Sequence, residues 1–333
     1  MNATERVHRR LKGEPVDRPP NFNIYMTFGA HYIGQPLRNY YLDYRVLVDA
    51  GQAMIENFGA DLYMTLSDPY RETADFGAQI EFPEDNLPLC KIPLLADPAD
   101  LAKLRPVAPA DGRRMTDRIN AVRLMSERSA GEIPVMGWVE GALAEAGDLR
   151  SAGLLMTDLY DRPEWVIEMQ ELCTQVAIEF ALAQIREGAT IIGLGDALAS
   201  QVSPAMYEKF ALPFEQRIFA AVHAAGALTR LHICGNTTKL LPKMVTSGAD
   251  IIDLDWMVDF EAAAQRFGDR VSFCGNQNPV AIMLQSSPQQ VFAAVQHCMR
   301  VGGPRSFSAA GCEIPDSTPH ENLRANMQAL QQA

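Results

Sequence analysis

Residues 228–235 read LTRLHICG, a strand-like stretch that reaches a histidine and a cysteine just before a glycine. Side chains of a β-strand alternate between two faces, so His232 and Cys234 would share one face while Ile233 points the other way. Nitrogen and sulfur donors placed two residues apart on one face suit a divalent metal such as zinc. The pair could equally be buried incidentally, because free cysteine is among the most buried residue types.

Similar runs recur on both sides of this stretch, and helical patterns separate most of them. The predicted strands are NFNIYMTFG (21–29), DLYMTLS (61–67), IPVMGWVEG (133–141), ATIIGLGD (189–196), LTRLHICG (228–235), ADIIDLDW (249–256), VSFCGNQ (271–277) and RSFSAAGC (305–312). Strands that alternate with helices in this number predict a (β/α)8 barrel. An open doubly wound sheet would instead call for a glycine-rich phosphate loop after an early strand, and the sequence has none.

The alternation is interrupted between the second and third predicted strands, at residues 68–131. Within this range the sequence predicts a hairpin from ADFGAQIEF (74–82) and PEDNLPLCKIP (83–93), a short helix that opens at Asp97-Pro98, and a helix over residues 116–128. We therefore predict a single barrel domain over residues 1–333, an α/β fold in which 68–131 is an insertion near the barrel mouth.

Serine or threonine followed by proline marks the start of three predicted helices. These starts are Ser203-Pro204, Ser287-Pro288 and Thr318-Pro319. The hydroxyl group of such a residue can accept a hydrogen bond from the first helical turn, and proline fits the first helical position. At the third start, Glu321 would complete a capping box.

The composition is that of an ordinary globular protein, with 47% hydrophobic and 21% charged residues. A net charge of -12 argues against a nucleic-acid partner or an anionic membrane surface, because both attract a basic face. The sequence has no signal-peptide pattern and no run of about 18 apolar residues, so we expect a cytoplasmic protein without a membrane segment. Its six cysteines are scattered and do not form a disulfide framework.

Polar residues at the ends of the predicted strands are candidates for function, because (β/α)8 barrels build their active sites there. These residues are Glu140, Asp196, His232, Cys234, Asp253, Asp255, Cys274, Asn276 and Cys312. The alternate apolar positions, among them Val139, Ile252 and Phe307, are expected to face the outer helices. The polar series is therefore expected to line the barrel mouth.

A catalytic zinc site usually has three protein ligands and one open position. His232 and Cys234 would supply two of them. Cys312 is the best candidate for the third, because it also ends a predicted strand. Cys274 is an alternative, although a small core residue is the favoured interpretation, because its position lies one layer deeper than that of Asn276.

Four strand-end residues have open roles. Asp255 could be a weak fourth ligand that leaves when substrate arrives, an acceptor that orients His232, or a helix N-cap. Glu140 and Asp196 are candidates for substrate positioning or proton handling, and helix capping is a comparable interpretation for both. Asn276 is a further catalytic candidate because of its place at a strand end.

Several stretches resemble the uroporphyrinogen decarboxylase superfamily and, within it, the cobalamin-dependent branch similar to methylcobalamin:coenzyme M methyltransferases. The clearest are HICGNT (232–237) and GCEIPDSTPHENL (311–323), and the resemblance covers nearly the whole chain. It implies zinc ligands at His232, Cys234 and Cys312. The decarboxylases lack this thiolate set and carry arginines near the N-terminus, whereas residues 21–34 contain none.

The resemblance implies a zinc-dependent methyltransferase that moves a methyl group between a corrinoid protein and a small acceptor or donor, such as a thiol or a methylated substrate. Two thiolates and a neutral imidazole leave the zinc site without net positive charge, which suits a nucleophilic substrate thiolate. The chain lacks a D-x-H-x-x-G cobalamin motif, so we expect the cobalamin on a partner protein. The alternatives are a metal-free decarboxylase of a carboxylated aromatic and a non-catalytic corrinoid-binding scaffold. A homodimer is compatible with each.

Overall fold

The computed structural model describes residues 1–333 and follows the predicted alternation of strands and helices. The strands are β1 (Tyr63–Met64), β2 (Ile80–Glu81), β3 (Leu89–Cys90), β4 (Val135–Glu140), β5 (Ile191–Gly195), β6 (Leu228–His232), β7 (Ile251–Asp253) and β8 (Ser272–Cys274). The helices are α1 (Ala3–Leu11), α2 (Met26–Tyr32), α3 (Leu37–Leu42), α4 (Tyr44–Phe58), α5 (Arg71–Asp75), α6 (Arg113–Ser129), α7 (Ala142–Arg150), α8 (Ala152–Asp161), α9 (Pro163–Arg186), α10 (Pro204–Phe210), α11 (Leu212–Ala224), α12 (Leu241–Met244), α13 (Phe260–Phe267), α14 (Pro288–Gly302) and α15 (His320–Gln331). Short 3-10 segments cover Pro98–Lys103 and Ala197–Gln201, and a π-helical segment covers Pro279–Leu284. None of the helices has both the length and the apolar character needed to cross a lipid bilayer.

The main sheet closes into a ring. Its parallel strands run in the order β1-β4-β5-β6-β7-β8. Single bridges continue the ring beyond β8, because Cys274 pairs with Phe307 and Ser308 pairs with Asn21. The Asn21 carbonyl then accepts a hydrogen bond of 3.0 Å from the backbone N–H of Asp61, two residues before β1. Backbone hydrogen bonds thus connect eight positions around the ring, and the predicted (β/α)8 barrel is confirmed.

The first ring position is shorter than the sequence predicts. Only Asn21 bridges to a neighbour, and α2 already begins at Met26. The prediction of a strand over residues 21–29 is wrong because the apolar spacing changes within the run. Phe22 and Ile24 lie two residues apart and join the interior cluster, whereas the apolar residues after them follow helical spacing.

Two apolar clusters occupy the two sides of the sheet. The larger one contains the residues that face the helices, among them Val139 and Ile252, as predicted. The smaller one contains Trp138 and draws on all ring positions except β6, whose Leu228 packs against it, so it fills the barrel interior. Phe307 belongs to this interior cluster, and its predicted outward direction is wrong. The bridge to Cys274, another interior residue, places Phe307 on the inner side.

The indole ring of Trp138 lies across the barrel interior. A methyl group added to Gly193 would meet this ring at 2.2 Å, and one added to Gly195 would meet it at 3.0 Å. These glycines of β5 therefore leave the space that the indole occupies. The ring centroids of Trp138 and His232 are 6.2 Å apart. Because Trp138 is level with Arg230, two residues before His232, the indole forms a floor below the strand ends.

Residues 68–131 contain an antiparallel pair of β2 and β3, and Asp97 caps the short helix at Pro98 through the N–H of Ala99. The helix at the end of this range, α6, packs against α4 and β4, so it takes the place of a barrel helix. The excursion proper therefore lies before Arg113. The division of the chain into one barrel domain and an insertion stays a prediction.

Two of the three predicted helix starts are confirmed. The Oγ atoms of Ser203 and Ser287 accept hydrogen bonds from backbone N–H groups in the first turns of α10 and α14. The third prediction is wrong, because Pro319 occupies the cap position of α15 and the Thr318 hydroxyl group has no partner. Thr318 lies one residue too early to reach the free N–H groups of that helix.

Candidate metal centre

Three donor side chains converge at the C-terminal ends of the barrel strands. The ligand atoms of His232, Cys234 and Cys312 all lie within 4.8 Å of one another, and no other His, Cys, Asp or Glu joins this group. His232 ends β6, and Cys312 follows the bridge of Ala310 with Gln277. The structure therefore brings together the three residues that the sequence predicts as metal ligands.

The donor set fits a single tetrahedral zinc ion. Nε2 of His232 lies 3.4 Å from Sγ of Cys234. Zinc bonds of about 2.0–2.3 Å, at tetrahedral angles, would place such a nitrogen and sulfur about 3.5 Å apart. His232 is buried, whereas Cys234 and Cys312 are half-buried. The sulfur side of the cluster is therefore the side that a substrate can reach.

Asp253 fixes the orientation of the His232 ring. Its Oδ2 lies 2.7 Å from Nδ1 of His232, which places the ring proton on Nδ1 and turns Nε2 towards the sulfur atoms. Its Oδ1 accepts a hydrogen bond of 2.8 Å from Nε of Arg230. The fully buried Arg230 in turn donates to the Phe22 carbonyl and lies over the Phe22 ring. A buried chain of contacts therefore holds the imidazole as metal-bound histidines are usually held.

The register between β6 and β7 determines which carboxylate meets His232. Leu231 pairs with Ile252, so the residues that follow, His232 and Asp253, are level with each other. Asp255 lies one layer nearer the mouth. The interpretation of Asp255 as the acceptor for His232 is therefore wrong, because Asp253 takes that place.

Both carboxylate oxygens of Asp255 accept backbone hydrogen bonds. Oδ2 accepts one of 2.9 Å from the N–H of Gly235, and Oδ1 accepts one of 3.1 Å from the N–H of Met257. Asp255 thus closes its own turn and holds the residue next to Cys234. Its role as a fourth ligand stays a prediction.

The cluster favours a thiolate on Cys312. A hydrogen bond from the Cys234 thiol is the largest effect that lowers the pKa of Cys312, and the neighbouring His232 lowers it further, against the opposing effect of burial. The deprotonated sulfur is the form that binds metal ions. The site therefore stabilises the thiolate form of Cys312, which is the form that zinc binding requires.

Glu140 ends β4 and is buried beside Arg71. Nη2 of Arg71 donates a hydrogen bond of 2.5 Å to Oε1 of Glu140, and the backbone N–H of Glu140 donates to Glu72. Burial raises the pKa of Glu140 to about 8, because its effect and that of Glu72 outweigh the opposing effect of Arg71. A carboxyl group that titrates near neutral pH suits proton handling, and this role stays a prediction.

Asp196 uses one oxygen as a cap and leaves the other without a partner. Its Oδ1 accepts a hydrogen bond of 2.8 Å from the N–H of Ala144 in the first turn of α7, whereas Oδ2 has no partner. Burial raises the pKa of Asp196 to about 7. The bonded oxygen therefore holds the first turn of α7, whereas the carboxylate does not cap the helix that follows Asp196. A catalytic role stays a prediction.

The remaining strand-end candidates face other parts of the structure. Nδ2 of Asn276 donates to the backbone carbonyls of Asp255 and Val258, so this amide holds the turn after β7. Its catalytic role stays a prediction. Cys274 is buried in the barrel interior and lies outside the group of three donors, which agrees with the favoured core interpretation.

Comparison with known proteins identifies the family. The family model of uroporphyrinogen decarboxylase (URO-D) matches residues 2–333. The chain belongs to the uroporphyrinogen decarboxylase family. The resemblance predicted from HICGNT and GCEIPDSTPHENL is thereby confirmed.

Relatives of this URO-D family member include both methyltransferases and decarboxylases. Methylcobamide:CoM methyltransferase MtbA of Methanosarcina acetivorans is 27% identical over 326 residues, which cover 96% of this chain and 95% of the relative. Uroporphyrinogen decarboxylase of Prochlorococcus marinus is 24% identical over 337 residues, which cover 96% and 94%. A solved methyltransferase from Methanosarcina mazei superposes with a TM-score of 0.91 at 22% identity, over 100% of this chain and 99% of the other, and thus shares the fold. The predicted methyltransferase branch agrees with these relatives.

Two buried arginines of this URO-D family member are paired with carboxylates of the protein. Arg71 pairs with Glu140, and Arg114 pairs with Asp68. Residues 21–34, which include α2, contain no arginine. These two guanidinium groups are therefore engaged by the protein's own carboxylates.

Proposed function

We propose that this URO-D family protein transfers a methyl group between a corrinoid carried by a separate protein and a small thiol, with zinc held by His232, Cys234 and Cys312. The observation that supports this function most is the convergence of these three donors at the barrel mouth. Relatives whose name states methylcobamide and CoM support methyl transfer by a corrinoid. The cytoplasmic location and a homodimer stay predictions.

Zinc bound at this site would supply a Lewis acid that keeps a substrate sulfur as a thiolate. The protein's own residues would orient the metal ligands and limit the direction from which the substrates approach. Asp253 holds Nε2 of His232 towards the site, and Trp138 closes the barrel below it. The thiol and the corrinoid methyl group must then approach from the mouth. Glu140, which lies two strands away in the same layer as His232, is the proposed acceptor for the thiol proton.

Methyl exchange with free methylcobalamin tests the proposal. The zinc-loaded protein is mixed with methylcobalamin and a panel of thiols, tetrahydrofolate and methylated donors, and the cobalamin spectrum is followed. We expect demethylation with at least one thiol. No exchange with any of these compounds, despite bound zinc, would contradict the proposal. Release of carbon dioxide from a carboxylated aromatic that survives zinc removal would support the decarboxylase instead.

Replacing Asp255 with alanine should separate zinc binding from thiol handling. The variant should keep most of its zinc, because three donors remain. Its thiol affinity and turnover should change about tenfold, because the Gly235 N–H next to Cys234 loses its acceptor and a placeholder ligand is lost. Isothermal titration with the accepted thiol and the exchange assay measure both effects.

The matched control for this change is Asp259→Ala. Asp259 also accepts a backbone hydrogen bond, of 2.9 Å from Ala262, but it is exposed, caps α13 and does not belong to the donor group. The Asp259→Ala variant should behave like the wild type in thiol affinity and turnover. If Asp255→Ala does the same, Asp255 only closes its turn and is not a ligand.

A further inference from the structure

His31 joins two acidic residues that belong to separate segments of the chain. Its Nδ1 lies 2.6 Å from Oδ1 of Asp316, and its Nε2 lies 2.7 Å from Oδ1 of Asp85. Asp316 lies four residues after Cys312, in the loop that leads to α15. Asp85 lies between β2 and β3, in the loop of the hairpin. One imidazole ring therefore ties the hairpin to the loop that carries a candidate zinc ligand.

Helix α2, which carries His31, and the residues just before it hold the loop after Cys312 at two more places. Thr27, one helical turn before His31, donates from its N–H and its Oγ1 to Oε1 of Glu313, at 2.8 and 2.7 Å. The N–H of Ile314 donates at 2.7 Å to the carbonyl of Ile24, just before α2. These contacts fix the first residues of the loop. His31 is the contact that extends the attachment to the hairpin.

We propose that His31 is a positioning residue for Cys312, and that it ties the hairpin and the ligand loop together only as an imidazolium. A neutral imidazole has one N–H, so it could donate to one carboxylate while its bare nitrogen faced the lone pairs of the other. Both distances are those of charge-assisted hydrogen bonds. The inference rests on the proposed function only in taking Cys312 as a zinc ligand.

The charged groups that face His31 favour its protonated form. Asp85 and Asp316 face the two ring nitrogens, Glu313 lies on the same loop as Asp316, and His320 of α15 packs against the neighbouring face of α2. Burial alone would lower the pKa of His31, but the hydrogen bonds to Asp85 and Asp316 outweigh burial and raise it. The link is therefore complete at pH values below the ordinary histidine pKa of 6.5. It is lost as the pH rises through the raised pKa of His31.

Hydrogen exchange of the full-length protein tests this link without measuring methyl transfer. Protection factors, corrected for the pH dependence of intrinsic exchange, are compared for residues 80–90 and 313–318. Both segments should lose about fivefold in protection in His31→Ala, the loss expected for a partly exposed ion pair. In the wild type, the same loss should accompany rising pH. The control is His223→Ala, because His223 also meets an aspartate, Asp250, at 2.9 Å, at the opposite end of the barrel.

Asp316→Asn tests the requirement for a charged ring. A carboxamide N–H can donate to the bare nitrogen of a neutral imidazole, so both contacts should persist in this variant at high pH. Protection of both segments should then be retained without the pH dependence of the wild type. An Asp316→Asn profile that still follows the wild type would contradict the imidazolium requirement, and unchanged protection in His31→Ala would contradict the link itself.

The release of zinc to a chelator tests whether the link positions Cys312. The release rate should rise about fivefold in His31→Ala, in parallel with the loss of protection. A loss of protection with an unchanged release rate would show that the link does not act on Cys312 and would overturn the proposal. A wild-type protein that binds zinc and shows the link but no methyl exchange would overturn the proposed function alone.

Discussion

Replacing Cys312 with alanine should lower the zinc affinity by more than 100-fold, because even the loss of a residue that only supports a ligand costs about 10–100-fold. Cys312 is one of only three donors in the group, so its removal leaves a nitrogen and one sulfur. The affinity is measured by competition with a chelator of known strength. The zinc content after dialysis gives an independent reading.

Two other cysteines provide the controls for this change. Cys90 is a half-buried cysteine on the hairpin, outside the donor group, and Cys90→Ala should keep full zinc. Cys274→Ala tests the alternative third ligand and should also keep its full zinc content. Full zinc content in Cys312→Ala would remove Cys312 from the site, and loss of zinc in Cys274→Ala would transfer the role to Cys274.

Replacing Asp253 with alanine should destabilise the fold and weaken zinc binding together. Arg230 is fully buried and would lose its carboxylate partner, which costs about 3–5 kcal/mol of unfolding free energy for a buried pair. His232 would lose the acceptor that fixes its ring, which should lower the zinc affinity about 10–100-fold. Denaturant unfolding and chelator competition measure the two effects separately.

Glu171→Ala is the matched control, because Glu171 also pairs with an arginine, Arg217, at 2.7 Å, with both side chains about half exposed. Its loss should cost at most about 1 kcal/mol. Asp253→Asn keeps an acceptor for His232 without the charge, and it should retain more zinc affinity than Asp253→Ala. If Asp253→Ala is no more destabilising than Glu171→Ala, the buried chain does not hold the site.

The barrel could be predicted from the sequence because its strands are short apolar runs separated by helical spacing. The eight runs correspond to the eight ring positions, and the starts of α10 and α14 follow from Ser203 and Ser287. The end of the first ring position could not be predicted, because strand-like and helix-like spacing follow each other without a break after Phe22. Propensity cannot place such a boundary when tertiary contacts decide it.

The donor residues His232 and Cys234 could be predicted because they lie two residues apart at the end of one apparent strand. Asp253 could not be given its role, because that role depends on the register of β6 against β7, and parity alone does not distinguish Asp253 from Asp255. The pairing of Arg71 with Glu140 could not be predicted for another reason. Arg71 begins a short helix after β1, in a range that looks like an insertion, and its only signal is that it follows a strand end.

His31 shows the same limit at longer range. Its partners, Asp85 and Asp316, are separated by more than half of the chain, and no local pattern marks any of the three. Two acidic residues meet at one imidazole only because the barrel brings the hairpin and the last loop to α2. A contact of this kind depends on topology, which the sequence specifies only through the completed fold.

The contact between Arg230 and Phe22 ties the metal site to the order in which the molecule assembles. The His232 ring is set by Asp253, which Arg230 holds while donating to the Phe22 carbonyl, 208 residues away. Phe22 itself is fixed by a 2.8 Å backbone hydrogen bond to Ser308, near the other end of the chain. Contacts between such distant parts of a chain form late in folding, because they carry the largest loop-closure entropy. High-affinity zinc uptake should therefore be a late event in folding, and a bound ion would report that the two ends of the chain have met.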